Sequence, residues 1–380
     1  MLIPALALLT LIVRPEYVAI LAFLVAILHP RSRSVSLLSA LLLLSTRLGL
    51  PTPIVGASMF VLIGREFRGG VLRNIAVYTL LGLAFFHVFD ILRGLGWSLE
   101  YEVFLSLTGG LTASLIESVG GDELLLTLAV ATVYTIFNIY AISVPLHQLG
   151  LAFALAFVLS LLATKSGVAD ESGLLSATLI GTLTIVFSDI RYFVILLLFY
   201  GIGSAVTKYK YSVKLERGIA EQAGGARGYV NVFSNSLPAL FFVMNYGITK
   251  DPSFATAFVA SVACALGDTM ASEVGKTADR VYLITNFKPV EPGVSGGISA
   301  VGEISALLGC AIVSGVAVIL GVVDLFSAIV ALVASFVGVH VDSLLGATLE
   351  KKGYLTNAGV NFFGVLSSGV LAYLLLRTIR

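Results

Sequence analysis

The chain has 380 residues, of which 58% are hydrophobic and only 12% are charged, and its mean hydropathy is +1.00. Soluble domains usually carry about 25% charged residues, so this composition excludes an ordinary soluble domain. The formal net charge of +1 argues against nucleic acid as a partner. The two cysteines lie inside apolar runs and offer neither a disulfide framework nor the spacing of a zinc site.

Apolar runs recur along the whole chain, and a run of about 20 residues can cross a bilayer as a helix. Backbone groups in lipid must pair internally, so α-helices are the expected spanning form. We expect about 11 to 14 helices to cross fully, and the predicted fold is an all-α, polytopic transmembrane bundle. The N-terminal run lacks a small-residue cleavage site, so we expect a retained membrane helix. The predicted helices cover 4–13, 16–29, 35–50, 53–64, 72–92, 103–118, 123–145, 149–164, 174–187, 191–206, 229–247, 253–274, 297–320, 325–349 and 356–377.

Basic residues are distributed unevenly among the polar loops of the second half. The loops 207–228, 275–296 and 350–355 hold five, three and two Lys or Arg residues, whereas 248–252 and 321–324 hold only Lys250. Cytoplasmic loops carry the excess of Lys and Arg. We therefore predict an integral protein of the cell membrane with these three basic loops in the cytoplasm.

Two acids stand near the end of the predicted helix 253–274. Asp268 and Ser272 share a helix face, whereas Glu273 lies about 140° round from Asp268 on a regular helix. Both acids can serve one site only if the helix ends or unwinds here, which Gly275 permits. Mg²⁺ takes one or two carboxylates plus substrate phosphates, so we predict Mg²⁺ as the cofactor. The alternative is that each acid is buried and paired with a nearby Arg or Lys.

A glycine-rich segment, "KPVEPGVSGG", precedes the predicted helix 297–320. Gly293, Gly296 and Gly297 let backbone N–H groups converge on an anion, Ser295 adds a hydroxyl, and Lys288 supplies a point charge. We expect this loop to open the helix at 297, whose N-terminus attracts phosphate. The alternative is close helix packing, which small residues also permit.

Further polar residues fall at the same predicted helix ends. They include one acid inside an apolar helix, cations suited to phosphates, and amides suited to orienting a substrate. This combination fits phosphoryl transfer, which needs mainly positioning and charge neutralisation. The residues are Asp342, Ser343, Asn357, Asn361, Lys208, Lys214, Arg227, Asn231 and Asn235.

Four motifs in order make the second half resemble a known family. "GDTMASEVG", "KPVEPGVSGGISAVGEISALLG", "VDSLLGATLE" and the basic segment beginning "GSAVTKYK" together resemble the phytyl-phosphate kinase family, over roughly 165–375. Two residues depart from the family pattern: Met270 stands where Trp is expected, and Asn231 where Gln is expected. Neither departure removes an ionisable group.

The resemblance implies an integral membrane kinase that transfers phosphate from CTP or another nucleoside triphosphate to an isoprenyl monophosphate, giving a prenyl diphosphate. Its catalytic residues would be Asp268, Glu273, Lys288 and Asp342, with the three acids as metal ligands. The cations, amides, serines and glycines above would bind nucleotide and lipid phosphate. The expected partners are that lipid, the nucleotide and the bilayer, and a homo-oligomer is compatible with the sequence.

The first half echoes the second in weakened form. "GASMFVLIG" (56–64) repeats the glycine spacing of "GDTMASEVG" (267–275), with Ala57 in place of Asp268 and Leu62 in place of Glu273. Glu117 then stands opposite Asp342. The segment 109–131 also resembles, more weakly, the CTP-dependent polyprenol and phytol kinases. We interpret 1–165 as a non-catalytic degenerate copy and 166–380 as the catalytic domain, the alternative being chance similarity between apolar helices.

Three other functions remain open on the sequence. A kinase of free polyprenols and a cytidylyltransferase that forms a CDP-lipid would use similar residues. A polytopic transporter would place polar residues near mid-membrane in both halves. The polar groups instead cluster at one face of the second half, which favours an enzyme.

Overall fold

The computed structural model describes residues 2–221 and 225–379, and it confirms the all-α, polytopic class. Contacts divide the chain into two units, of which the first ends at Ala154 and the second begins at Leu155. This division falls inside helix α8 (Leu146–Lys165), whereas the sequence predicts a boundary at the end of that helix.

The first unit is a bundle of short and long helices. Its core is aromatic, with Phe86, Phe104 and Tyr134 fully buried. A 3-10 segment, Val61–Phe67, follows the fourth helix directly. The helices that precede α8 are α1 (Leu2–Leu9), α2 (Pro15–Leu28), α3 (Arg33–Ser45), α4 (Thr52–Phe60), α5 (Val71–Arg93), α6 (Leu99–Ser118) and α7 (Glu123–Ile139).

The second unit surrounds one central helix and carries a small sheet at one end. Its helices are α9 (Glu171–Phe187), α10 (Ile190–Lys208), α11 (Tyr211–Glu216), α12 (Tyr229–Thr249), α13 (Pro252–Gly275), α14 (Ala300–Ile319), α15 (Leu325–Leu345) and α16 (Asn357–Ile379). A π-helical turn, Gly346–Glu350, continues α15. Strands β1 (Val281–Leu283), β2 (Pro289–Val290) and β3 (Gly297–Ile298) form an antiparallel sheet in the order β2-β1-β3.

Seven helices of the described chain are long and apolar enough to span a membrane: α5, α8, α10, α13, α14, α15 with its π-helical turn, and α16. Three shorter apolar helices, α2, α7 and α9, accompany them. Seven is fewer than the 11 to 14 full crossings expected from sequence. The apolar runs near 4–13, 35–50 and 53–64 form helices of only 8, 13 and 9 residues, which are too short to cross alone.

Helix α13 is the core of the second unit and packs against α10, α12, α14, α15 and α16. Its sequence is rich in Ala, Gly, Ser and Cys, and small residues let membrane helices approach closely. A Cβ added at Gly309 of α14 would lie 3.0 Å from the Cα of Gly267. The helix that carries Asp268 and Glu273 is therefore held on most sides by protein.

Acidic or hydroxyl side chains fix where helices of the second unit begin. Asp170, Asp189, Asp251, Ser299 and Asp324 each accept a hydrogen bond from a backbone N–H in the first turn of the following helix. Such caps satisfy donors that the helix itself leaves unpaired. The cap at Ser299 sets the start of α14, which bears on the glycine loop described below.

Candidate functional site

Two acids from different helices meet beside the core of the second unit. Asp268 of α13 and Asp342 of α15 are both half-buried, and their side chains hydrogen-bond to each other. Helix α16 leaves room for them at Gly364, where an added Cβ would lie 2.9 Å from the Cβ of Asp342. Two carboxylates in contact require a shared proton or a cation, so this acid pair is a place where positive charge is favoured.

The third predicted metal ligand lies elsewhere. Glu273 is buried, and its Oε2 accepts a hydrogen bond from Lys214 Nζ at 2.5 Å while its Oε1 accepts one from Lys276 Nζ at 2.6 Å. Because α13 stays helical to Gly275, Glu273 faces α11 rather than the acid pair. Within residues 2–221 and 225–379, no three His, Cys, Asp or Glu side chains are grouped to hold a metal ion. The structure thus does not gather Asp268, Glu273 and Asp342 into one cluster.

Lys214 is also placed differently from the expectation that it contacts phosphate. Its side chain is fully buried, and Nζ donates to the Thr207 carbonyl at 2.5 Å as well as to Glu273. Both interactions hold the short helix α11 against α13. In this arrangement Lys214 neutralises a buried acid, which agrees with the alternative weighed for Glu273 in the sequence.

Lys276 links this cluster to the segment after α11. Its Nζ lies 2.7 Å from Oε1 of Glu221. Burial opposes the ionised form of Glu221, but the hydrogen bond and charge of Lys276 outweigh it, so the pKa of Glu221 lies below its ordinary value. Burial likewise opposes the charged form of Lys276, but its bonds to Glu221 and Glu273 raise the pKa of Lys276 above its ordinary value. Both groups are therefore charged at neutral pH.

The glycine-rich loop does not open a helix at 297 as the sequence predicts. Gly297 lies in strand β3 and pairs with Leu283, and α14 begins three residues later, at Ala300. The side chain of Ser299 accepts the N–H of Gly302, so a protein group already occupies part of the helix N-terminus. Gly293 and Gly296 adopt φ angles of +88° and +76°, which explains why the turn uses glycine there.

The glycine loop docks on the π-helical turn that follows Asp342. The hydroxyl of Ser295 donates to the Glu350 carboxylate. A Cβ at Gly296 would lie 2.6 Å from the Ser343 carbonyl oxygen and 2.5 Å from Ala347 Cβ, so only glycine fits without a shift. Two separate motifs, "GVSGG" and "DSLLGATLE", thus form one surface. Glu350 was not predicted as a site residue, although it ends the second motif.

Arg227 anchors a third polar group at the start of α12. Its guanidinium NH1 donates to Asn231 Oδ1 at 3.0 Å, and Asn235 Nδ2 donates to the Asn231 carbonyl at 2.9 Å. Arg227 is only 7% exposed, and burial lowers its pKa from the ordinary value. Asn231 and Asn235 thus lie one turn apart on α12, and Arg227 is held by the first of them.

The remaining predicted site residues lie near helix ends without a shared contact. Lys208 is exposed at the end of α10, and Lys288 is exposed just before β2. Ser272 donates to the Thr269 carbonyl at 3.2 Å. Asn357 is exposed at the start of α16, and Asn361 is half-buried one turn before Gly364.

The three basic loops do come together at one end of the second unit. Arg217 of the first donates to the Ala278 carbonyl of the second at 2.8 Å and lies 3.1 Å from the Asp279 carboxylate. Ser295 of the second contacts Glu350 at the start of the third. The loops therefore share a side, as the distribution of charge predicts.

Comparison with known proteins gives the family. Residues 154–369 match the model described as Integral membrane protein DUF92. An uncharacterized membrane protein of Synechocystis is 31% identical over 187 residues, which are 48% of this chain and 72% of that protein. An uncharacterized membrane protein of Methanocaldococcus jannaschii is 28% identical over 62% of this chain and 97% of its own. Protein VTE6, chloroplastic, of Arabidopsis thaliana is 31% identical over 54% of this chain and 65% of its own.

No solved structure matches the chain. The family match covers more than half of the sequence and includes the acid pair, the glycine loop, the π-helical turn and Arg227. The chain therefore belongs to the DUF92 family of integral membrane proteins.

Proposed function

We propose that this protein is a membrane-embedded kinase that transfers a phosphoryl group from a nucleoside triphosphate, with CTP favoured, to an isoprenyl monophosphate. The observation that carries the proposal is the hydrogen-bonded acid pair Asp268–Asp342, which lies on helices flanked by a docked glycine loop. The resemblance of these same motifs to the phytyl-phosphate kinase family supports it.

The acid pair fits Mg²⁺, which takes few protein carboxylates and completes its shell with phosphate oxygens and water. Asp268 and Asp342 would hold the ion, while Glu273 is bonded to two lysines. When bound, Mg²⁺ would neutralise charge that develops on the transferred phosphoryl group. The chain's own part is to present two carboxylates at a fixed separation on packed helices.

The reaction needs no strong general base, because the acceptor already carries an ionised phosphate. An oxygen of that phosphate would attack the γ-phosphorus of the nucleotide, the bond from that phosphorus to the bridging oxygen would break, and a nucleoside diphosphate would leave. Arg227 and the exposed Lys208 and Lys288 are cations that could contact the phosphates. Positioning and charge neutralisation supply most of the catalysis in such transfers.

A product assay tests the proposal against its alternatives. The purified protein in lipid is given a panel of prenyl alcohols and prenyl monophosphates with CTP, GTP, UTP or ATP and Mg²⁺. We expect a prenyl diphosphate and a nucleoside diphosphate. Pyrophosphate release would indicate a cytidylyltransferase, and phosphorylation of the alcohol a polyprenol kinase. Absence of any phosphorylated lipid with every pair would contradict the kinase.

A further inference from the structure

An apolar cavity opens beside Arg227 within the second unit. It has a volume of about 80 Å³ and lies between α8, α9, α10 and α12. Its wall is almost entirely hydrocarbon, with Leu159, Ala163, Ala177, Ile180, Phe193 and Leu196 among its lining residues. A single water needs roughly 10–15 Å³ and two or more polar partners, so this cavity is large enough for several waters but suited to an apolar group.

Arg227 is a buried cation that no acid of the described chain contacts directly, although Glu221 and Glu273 act on its charge from farther away. Its guanidinium lies 5.1 Å from the Phe199 ring centre and 5.7 Å from that of Tyr200, and no carboxylate within the described chain forms an ion pair with it. Buried charges are normally paired, because an uncompensated one costs several kcal/mol. The guanidinium at the cavity wall can therefore take an anion from outside the chain as a direct partner.

The same guanidinium also lies close to the acid pair's helix. A Cβ added at Gly203 of α10 would lie 2.7 Å from Arg227 NH2 and 3.5 Å from Thr269 Cγ2. Thr269 directly follows Asp268 in the sequence. Arg227 thus lies between an apolar cavity on one side and the Thr269 face of α13 on the other.

We propose that Arg227 binds the phosphate of the lipid acceptor and that this cavity holds the hydrocarbon next to that phosphate. The inference rests on the proposed function and deepens it, because a buried cation at this place favours a prenyl monophosphate over a free prenyl alcohol. An amphiphile with an anionic head and an apolar neck matches both walls of the site. Losing the head group would leave the guanidinium without a directly bound anion.

The cavity volume limits how much of the lipid it holds. A cavity of about 150 Å³ accommodates one benzene ring, so about 80 Å³ admits only a short part of a chain. The rest of the prenyl tail must leave the cavity and lie along the outer helix faces. We therefore expect the site to recognise the phosphate and the few carbons nearest to it, with little selection for total chain length.

Photocrosslinking tests the cavity without requiring turnover. A C20 prenyl monophosphate with a diazirine on the isoprene unit nearest the phosphate is irradiated with the full-length protein in lipid, and the labelled peptides are identified by mass spectrometry. We expect labels on 159–163 and 177–181, and loss of these labels when unlabelled prenyl monophosphate competes. Labelling confined to other helices, or none at all, would overturn the proposal.

Matched variants distinguish the effect of filling the cavity from a general effect on folding. Ala177→Phe and Ala163→Phe fill the cavity from α9 and α8 and should reduce labelling at least tenfold. Leu162→Phe, next to Ala163 but 56% exposed on the outside of α8, should leave it unchanged. Equal labelling in all three folded variants would show that the lipid lies elsewhere.

Changing the charge at Arg227 tests whether this residue binds the phosphate head group. Arg227→Gln should weaken monophosphate binding by at least tenfold and leave binding of the corresponding alcohol within twofold, and Arg227→Lys should restore part of the loss. An equal loss of binding for the monophosphate and the alcohol would show that Arg227 serves only in packing. Specific labelling of the cavity without prenyl diphosphate formation would uphold this binding site and contradict the kinase. Prenyl diphosphate formation without cavity labelling would uphold the kinase and contradict this binding site.

Discussion

At the residue scale, the acid pair is the feature on which catalysis should depend most. Asp268→Asn or Asp342→Asn keeps the side-chain shape but removes one of two charges that would hold Mg²⁺. Lost charge stabilisation of this kind costs on the order of 10²-fold or more in rate. We expect that loss in turnover, with normal folding, because an amide is easier to bury than a carboxylate.

Glu117 of the first unit is the matched control for these variants. Its carboxylate lies 2.7 Å from Arg65 Nε and 3.0 Å from Arg68 Nε, and Tyr78 donates to it at 3.0 Å. It is thus paired with arginines rather than with a second acid. Glu117→Gln should keep turnover within a few-fold of the unchanged protein. A fall as deep as that of Asp342→Asn would make the first unit catalytic.

A glycine decides how closely the Arg227 backbone can approach α9. A Cβ at Gly173 would lie 2.1 Å from the Arg227 carbonyl oxygen, whereas a Cβ at Gly201 of α10 meets nothing within 4 Å. Gly173→Ala must displace the Arg227 segment and should impair prenyl monophosphate binding at least tenfold. Gly201→Ala should leave binding unchanged and raise stability by about 0.5–1 kcal/mol, as helical Gly→Ala changes do. Equal binding by the two variants, measured by titration, would show that the segment adapts.

At the scale of elements, Lys214 fastens α11 to α13 through a buried ion pair. Lys214→Met leaves Glu273 with Lys276 alone in a buried place, and breaking such a pair costs about 3–5 kcal/mol. We expect a lower unfolding temperature and faster proteolysis within 207–228. The double variant Lys214→Met with Glu273→Leu removes both charges and should recover part of the loss. A double variant no more stable than the single one would mean that α11 is held by other contacts.

The link between Glu221 and Lys276 should make stability depend on pH at both extremes. The pKa of Glu221 is lowered, so its contribution is present above the ordinary value of 4.5 and is lost as pH falls through the lower folded value. The pKa of Lys276 is raised, so its contribution is present below 10.5 and is lost as pH rises through the higher folded value. The stability difference between the unchanged protein and Glu221→Gln should stay constant from about pH 5 to 9 and shrink in acid.

Glu216 provides the comparison for that measurement. It is exposed and forms no ion pair within the part of the chain that the structure describes. Glu216→Gln should therefore leave the unfolding temperature unchanged across the same pH series. If the stability difference between the unchanged protein and Glu221→Gln did not shrink in acid, the proposed link between Glu221 and Lys276 would be contradicted.

Sequence patterns predicted the long elements well because an apolar helix leaves a repeated signal over many residues. The class, the ends of α13 and the side shared by the basic loops follow from hydropathy, Gly275 and charge. The three strands are two or three residues long, which is too short for a period-2 pattern to register. The start of α14 could have been predicted from the sequence, since Ser299 before an apolar run is a usual N-cap.

The partners of individual side chains were harder to predict. Glu273 binds Lys214, which lies 59 residues earlier, and no local spacing encodes that choice. The same limit applies to Ser295 and Glu350, which are 55 residues apart. Motif resemblance brought Asp268 and Asp342 into one list of ligands. Glu273 entered the same list through its position beside Asp268, but only the packing of α11 reveals its surroundings.

At the scale of the whole molecule, the side shared by the basic loops should be the cytoplasm. The native Cys264 and Cys310 are buried, so single introduced cysteines give a clean reading. Tyr209→Cys, Phe287→Cys and Tyr354→Cys lie at exposed positions of the three basic loops. In intact cells an impermeant thiol reagent should spare all three. Lys250→Cys, in a loop expected outside, should be labelled, and outside labelling of any of the three would contradict the orientation.

The burial of α13 also bears on how the protein should respond to the bilayer around it. A mismatch between helix length and hydrocarbon thickness is relieved by tilting helices that face lipid. The helix that carries Asp268 is covered by five neighbours, so such tilting falls first on the outer helices. The geometry of the acid pair should therefore change little with bilayer thickness, and turnover should vary little among bilayers of short and long acyl chains.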